Sequence, residues 1–238
     1  MCLILFANIF AITADEIIRR LDENNVGVTQ EYGGVMTIVK GQRTLVKEFK
    51  GYAESNEETF FMEFTNPEDR GVKYLKRSDE LWIYFPDADD VMKIAGSMLK
   101  QGMMGSDLSY EDMVRMEELN KKYDSSILAE EKFGESECYK VEIKAKEGVK
   151  DVTYYREIIW VDKGNFVMRK AELYAKSGRL LKTMETENVK KIGERFVPTK
   201  IVIKDMKRKD SVTTMEFTRI EFDVKVPEGV FTMEYLQR

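Results

Sequence analysis

Few side chains of this sequence have the types and spacing that chemistry requires. The 238 residues include no histidine, which excludes a Ser-His-Asp triad, a Cys-His pair and a histidine zinc site. Ser106 lies between Gly105 and Asp107 and not in a Gly-x-Ser-x-Gly nucleophile elbow, so we interpret it as a turn residue. A lipid hydrolase that uses Ser106 or carboxylates is the least favoured function, and we expect no catalytic residue and no enzyme.

The candidates for metal or redox chemistry are equally few. Asp87, Asp89 and Asp90 could offer oxygen ligands to a hard cation, but they lack the glycine and the distal glutamate of an EF-hand loop. A solvated acidic turn is the preferred interpretation. Cys2 precedes an apolar N-terminal run and Cys138 lies in a strand pattern, so the exported chain would keep one cysteine. We therefore expect no metal, no cofactor and no intramolecular disulfide.

Composition and charge describe one large domain. Hydrophobic residues make up 43% of the chain, and the 38 basic and 43 acidic residues are interspersed. The net charge of −5 provides no general basic field, which argues against nucleic-acid binding. Two basic runs, Lys190-Lys191 and Lys207-Arg208-Lys209, fall at expected hairpin tips, where charge protects strand ends.

The N-terminal fourteen residues are uncharged and almost continuously apolar. We interpret residues 1–14 as a signal peptide cleaved after Ala14, which leaves a single soluble, exported domain over residues 15–238. The run is shorter than the roughly 20 apolar residues of a membrane-spanning helix. A buried N-terminal strand or helix is the alternative.

Hydrophobic periodicity predicts a mainly β protein. Residues 15–23 have the spacing of a short amphipathic helix, Gly27, Gly33 and Gly34 break the chain, and period-2 alternation follows from Val35. About eleven to thirteen strands with short connections favour an antiparallel meander. A single sheet of that length with one apolar face must curl, so we expect it either to close fully or to leave a half-barrel whose mouth something else covers.

The one long interruption of the strand pattern lies within residues 82–113. Residues 82–85 have a strand pattern, residues 91–105 suggest an adaptable rim, and residues 109–122 a lid helix. Methionine is unbranched and adapts to irregular apolar partners, and glycine permits hinge conformations. We therefore interpret this region as a lid over a flexible ligand, with core filler as the alternative. Its methionines are Met92, Met98, Met103, Met104, Met113 and Met116.

Three motifs resemble the LolA-like outer-membrane lipoprotein-sorting proteins. They are Pro67-Glu68-Asp69-Arg70-Gly71, Trp82-Ile83-Tyr84-Phe85-Pro86 and Gly105-Ser106-Asp107-Leu108-Ser109-Tyr110-Glu111-Asp112. The resemblance implies an unclosed antiparallel β-barrel with a helical lid over a hydrophobic cavity that accepts acyl chains. It supplies no match for the arginine that locks the lid in the better-known carriers.

The expected cavity wall comes from strands with a clear polar opposite face and from the lid methionines. The candidate lipid-binding residues are Phe60, Met62, Phe64, Trp82, Tyr84, Met98, Met103, Met104, Met113, Tyr139, Val141, Ile143, Ile201 and Ile203. Trp82 and Tyr84 alternate with Ile83 and Phe85, and the sequence leaves open which pair faces the cavity.

The favoured function is a periplasmic carrier of lipoprotein acyl chains or another lipid. We expect a monomer that works with membrane-associated donor and acceptor proteins. An envelope sensor or protein-binding module on the same fold is the alternative, because a fold does not fix a function.

Overall fold

The computed structural model describes residues 12–24, 29–54, 58–114, 122–149 and 152–238. Nearly all of the interpreted signal peptide, residues 1–14, lies outside this part of the chain, and so do Met116 and most of the second half of the expected lid helix. Within the described ranges, no helix combines the length and the apolar content needed to cross a membrane.

Thirteen strands form one antiparallel sheet. In chain order they are β1 (Thr29–Lys40), β2 (Arg43–Glu54), β3 (Thr59–Phe64), β4 (Lys73–Arg77), β5 (Glu80–Phe85), β6 (Asp90–Ile94), β7 (Tyr123–Phe133), β8 (Ser136–Ala145), β9 (Arg156–Asp162), β10 (Met168–Tyr174), β11 (Leu180–Ile192), β12 (Arg195–Asp205) and β13 (Ser211–Phe222). Their order in the sheet is β6-β5-β4-β3-β2-β1-β13-β12-β11-β10-β9-β8-β7. The sheet is not closed into a barrel, so the predicted mainly β, unclosed architecture is confirmed.

The connection between β6 and β7 has a special place in this topology. These two strands follow each other in sequence but form the two opposite edges of the sheet. Every other pair of consecutive strands is adjacent, and β1 pairs with both β2 and β13. The chain between β6 and β7 must therefore cross from one edge to the other, which explains the long interruption of the strand pattern.

Residues 96–114 of this connection, called the cover below, contain three short helical turns. They are 3-10 helices at Gly96–Lys100 and Met103–Gly105 and the α-helix α2 (Tyr110–Val114). In the described ranges, a 3-10 helix at Pro67–Asp69 and two α-helices lie outside the cover. α1 (Ala14–Glu23) confirms the predicted N-terminal helix, and Thr13 caps it by accepting a hydrogen bond from Glu16 N at 3.2 Å. α3 (Met233–Leu236) lies at the C-terminal end.

The pairing register aligns apolar side chains in a row across the sheet. Residues that face each other in an antiparallel pair point to the same side. The successive pairing partners in this row, from β1 through β13 to β8, are Ile38, Thr213, Ile203, Met184, Ala171, Ile159 and Val141. We call the side that carries this row the front face. The cover and α1 pack on it.

The back face has its own small core. The residues that follow β13, 223–238, are called the C-terminal segment below. Phe61, Leu75 and Tyr84 are buried on the back face with Val230 and Leu236 of this segment. Because residues alternate along a strand, Phe60, Met62 and Phe64 point to the front and Phe61 points to the back. The C-terminal segment therefore explains why Phe61 interrupts the apolar-polar alternation of β3.

The structure corrects two predicted boundaries. Gly33 and Gly34 lie inside β1 and do not break the chain, because β1 carries a bulge between them. A Cβ on Gly34 would lie 2.3 Å from Glu216 O, so the close approach of β13 requires glycine there. Residues 91–94, predicted as rim, belong to the edge strand β6.

Candidate functional site

The cover and the front face share one apolar cluster. Phe64 and Met103 are fully buried, and Tyr110 is 8% exposed. Met98, Met104 and Met113 are half-buried and pack against the same cluster. The cover therefore shields this part of the front face from solvent.

Most of the predicted lipid-binding residues lie between the front face and the cover. The cluster shared by the two contains Phe60, Met62, Phe64, Ile201 and Ile203 from the sheet and Met98, Met103, Met104 and Met113 from the cover. Tyr139, Val141 and Ile143 belong to a neighbouring cluster that α1 covers through Ile17 and Ile18. Met184 contacts both clusters, so the two form one continuous apolar face.

Trp82 and Tyr84 lie elsewhere. Both pack in the back-face cluster beneath the C-terminal segment, while Ile83 and Phe85 pack in the front-face cluster. The alternation along β5 therefore places Ile83 and Phe85 on the side of the cover. The assignment of Trp82 and Tyr84 to the cavity wall is corrected accordingly.

Asp107 fastens the middle of the cover to the centre of the sheet. Its carboxylate Oδ2 accepts hydrogen bonds from Ser211 Oγ and Thr213 Oγ1, each at 2.8 Å. The Asp107 backbone N–H donates in turn to Thr213 Oγ1 at 2.8 Å. Asp107 is only 2% exposed; the two hydroxyl donors satisfy its Oδ2, while its Oδ1 is buried without a hydrogen-bond partner among the residues that the structure describes. Thr213 thus supplies a polar contact inside the apolar row.

The loop around Asp107 is held from outside by Arg208. This side chain, from the turn between β12 and β13, donates to Ser106 O at 2.8 Å and to Gly105 O at 3.3 Å. Gly102 lies under the same loop, where a Cβ would be 2.0 Å from Ser106 O. The glycine is therefore required by close packing of the cover on itself.

Asp112 fastens the α2 end of the cover to the other half of the sheet. It forms a buried ion pair with Lys182 of β11, and its Oδ1 accepts from the Tyr154 hydroxyl at 2.6 Å. Ser109 N and Ser109 Oγ donate to Asp112 Oδ2 at 2.8 and 2.7 Å. Burial alone would raise the pKa of Asp112, but Lys182 and these donors hold the pKa below its ordinary value. The carboxylate is therefore ionised at neutral pH.

Tyr110 connects the cover to the first half of the sheet. Its hydroxyl oxygen lies 3.2 Å from that of Tyr74 on β4, and the two share a buried hydrogen bond. Burial raises the pKa of Tyr74 above its usual range. Asp107 binds β13, Asp112 binds β11 and Tyr110 binds β4, so the cover is attached to three separated strands.

The geometry gives no support for chemistry at Ser106. The residue is fully buried, and its hydroxyl donates to Leu108 O at 3.2 Å within the turn. Among the described residues, no group of three or more His, Cys, Asp or Glu side chains is placed to hold a metal ion. Asp89, from the acidic turn, instead accepts a hydrogen bond from the Tyr84 hydroxyl at 3.0 Å.

Several partners of the cover carried no signal in the sequence. Three residues of the cover belong to the third motif: Asp107, Tyr110 and Asp112. Their partners elsewhere lie about 40 to 106 residues away along the chain and include Lys182, Tyr154, Ser211 and Thr213. The sequence pattern predicts Arg208 only as a charge at a hairpin tip. Their roles follow from the sheet order, which brings β11 and β13 under the cover.

A polar cleft of about 840 Å³ lies away from the cover, at the end of α1. Its lining includes three arginines, three carboxylates and two phenylalanines, so opposite charges balance there. The residues are Arg19, Arg20, Glu23, Asn24, Gly164, Asn165, Phe166, Gly193, Glu194, Arg195, Phe196 and Asp223. This lining does not suit an acyl chain.

Solved structures with the same architecture are known. A DUF1329 family protein from Desulfovibrio piger is 26% identical with a TM-score of 0.84, covering 93% of this chain and 96% of its own. A putative outer membrane lipoprotein-sorting protein domain from Vibrio parahaemolyticus is 22% identical with a TM-score of 0.84, covering 94% and 97%. A LolA superfamily protein from Nitrosomonas europaea is 24% identical with a TM-score of 0.76, covering 94% and 100%.

A family model described as an uncharacterized protein matches residues 56–238, most of the chain. The chain belongs to this family, and its fold is LolA-like. The relation indicated by the three sequence motifs is thereby confirmed. A comparison with the curated proteins finds no match.

The LolA-like fold gives the third motif a structural meaning. Asp107, Tyr110 and Asp112 of that motif make contacts that hold the cover on the sheet, and Ser109 donates to Asp112 within the cover. The first motif forms a turn, in which Asp69 pairs with Lys47 and accepts a hydrogen bond from Asn66 Nδ2 at 2.7 Å.

Proposed function

We propose that this protein is a periplasmic carrier that holds acyl chains against the front face of its sheet, beneath the cover. One observation carries this function. A continuous apolar face is covered by a segment rich in methionine and glycine, which is fastened through polar contacts at a few points. Such a segment can leave the sheet and repack around a chain of irregular shape.

The energies allow an acyl chain to compete with the cover. Burying one methylene group contributes about 0.8 kcal/mol, so ten of them contribute roughly 8 kcal/mol. Opening the cover hydrates both Asp112 and Lys182, so separating this buried ion pair costs less than the roughly 3–5 kcal/mol that follows removal of one partner from a buried pair. A fatty chain therefore offsets the release of one attachment point without any specific polar contact.

The names of similar proteins support the same function. The Vibrio protein is named for lipoprotein sorting and the Nitrosomonas protein for the LolA superfamily. Carriers of this kind would receive a lipoprotein or lipid from one membrane-associated protein and pass it to another. The domain would span residues 15–238, act as a monomer in the periplasm and perform no catalysis.

Mass spectrometry under native conditions tests the function directly. The purified protein should retain lipid, and after delipidation it should take up a palmitoyl lysophospholipid. Met104→Gln and Met113→Gln should lower occupancy, because both side chains pack in the front-face cluster. Met233→Gln is the matched control, since Met233 packs on the back face.

Two results would count against a carrier. A protein that neither retains nor takes up lipid would refute it, as would equal loss of lipid in Met113→Gln and Met233→Gln. Capture of a membrane protein by a chain with an empty front face would instead favour the protein-binding alternative.

A further inference from the structure

Two hairpin tips meet at one corner of the sheet. The turn between β1 and β2 lies beside the turn between β12 and β13, because β1 pairs with β13. Gly41 N donates to Asp210 O at 2.8 Å, which joins the two turns directly. Residues 39–46 and 205–210 are called the basic corner below.

Exposed apolar side chains concentrate at this corner. In the part of the chain that the structure describes, six large hydrophobic residues are exposed, and four of them lie here. They are Val39 (39% exposed), Leu45 (44%), Val46 (54%) and Met206 (48%). Large apolar side chains on an exposed turn are not stabilised by burial in the core, so a cluster of them indicates a contact surface.

Charge at the corner opposes that of the whole protein. The basic corner has a net charge of +3, whereas the whole chain has a net charge of −5. Its basic residues are Lys40, Arg43, Lys207, Arg208 and Lys209, and its acidic residues are Asp205 and Asp210. Arg43, Lys207 and Lys209 are exposed, as are the other residues from 41 to 46. The surface is thus a convex tip with apolar and basic side chains interleaved.

We propose that the basic corner docks the protein on an anionic phospholipid bilayer. Apolar side chains of an interfacial element enter the boundary between headgroups and acyl chains, while lysine and arginine stay at the level of the phosphates. A negatively charged leaflet attracts basic groups within a Debye length. A convex tip offers no groove for a peptide, whereas a bilayer requires none.

The corner is also linked to the cover. Arg208 reaches from the β12–β13 turn to the carbonyl oxygens of Gly105 and Ser106. A Cβ placed on Gly105 would lie 3.2 Å from Lys40 Nζ, so both tips touch the same loop of the cover. Docking therefore brings the fastened middle of the cover to the membrane surface.

Co-sedimentation of the full chain with vesicles tests the docking. Vesicles of mixed phosphatidylglycerol and phosphatidylcholine should bind the protein, with binding that weakens as salt rises, whereas pure phosphatidylcholine should bind it poorly. Lys207→Gln/Lys209→Gln should lower the partition coefficient roughly 25-fold, about fivefold for each basic group. Leu45→Ser/Val46→Ser should lower it by about tenfold or more, from the lost apolar area.

Matched controls are available on the same sheet. Ile127→Ser/Leu128→Ser removes two apolar side chains of similar exposure, 37% and 45%, from the edge strand β7. Lys190→Gln/Lys191→Gln neutralises the basic residues near another hairpin tip. Both controls should bind anionic vesicles like the unaltered protein. Failure of the unaltered protein to sediment with anionic vesicles would overturn the docking, as would equal loss of binding in the controls.

Discussion

Replacing Asp112 with alanine should release the cover without unfolding the sheet. The substitution leaves the Lys182 ammonium buried without its partner, since the side chains of Asp112 and Lys182 are only 8% and 5% exposed. Breaking a buried pair in this way costs about 3–5 kcal/mol. The cost falls on the closed position of the cover, because the Asp112 contacts join the cover to itself, to Lys182 of β11 and to Tyr154 in the β8–β9 connection.

Hydrogen exchange measures this release at defined amides. Met103 N donates to Leu108 O at 2.8 Å and Tyr110 N donates to Gln101 O at 3.0 Å, so both amides report on the folded cover. A cost of 3–5 kcal/mol raises the opening equilibrium by a factor of about 10² to 10³ or more. In Asp112→Ala these two amides should exchange faster by that factor, while those between β1 and β13 keep their rates.

Two further variants separate the ion pair from general destabilisation. Lys132→Ala removes an exposed pair with Glu137, whose side chains are 70% and 58% exposed, and should change exchange little. Asp112→Leu/Lys182→Met replaces both charges with apolar groups and should recover much of the protection. The reasoning is refuted if Asp112→Ala behaves like Lys132→Ala, or if the whole sheet exchanges faster to the same extent.

Three other outcomes follow from the cover. The pKa of Asp112 lies below its ordinary value, so the stability that Asp112 gives the closed cover should be complete above about pH 4 and be lost as the pH falls through the lower pKa of the folded protein. Hydrogen exchange of the cover, measured against pH, should show this loss of protection. Asp112→Asn should abolish the pH dependence. Gly102→Ala should cost about 1–3 kcal/mol and lower the Tm by several degrees in calorimetry, because its Cβ would meet Ser106 O, whereas Gly33→Ala should be milder. Tyr110→Phe should cost about 1 kcal/mol in denaturant unfolding, and an unchanged midpoint would contradict the hydrogen bond seen here.

The sheet could be predicted because its information is local. Alternation in segments such as Tyr139, Val141 and Ile143 reports one buried face, and short turns between such segments force neighbours to pair. The same logic placed Phe60, Met62 and Phe64 on one side. It failed at Gly33 and Gly34, which lie at a bulge inside β1, because the requirement for glycine at Gly34 comes from β13, almost two hundred residues later in the sequence.

The attachment of the cover could not be predicted in the same way. Asp112 and Lys182 become partners only through the order of strands in the sheet, and neither residue type signals an ion pair by itself. Trp82 and Tyr84 show a related limit, since alternation separates two faces but does not say which one is covered by which segment. The C-terminal segment decides that for the back face.

The central claim is that acyl chains bind between the cover and the front face. The most direct measurement is methyl NMR of the methionine-labelled protein, titrated with a lysophospholipid below its critical micelle concentration. The methyl resonances of Met62, Met103 and Met113 should shift, because these side chains line the front-face cluster, while Met233 on the back face should not. Shifts confined to Met233, or no shift at all at saturating ligand, would contradict the account.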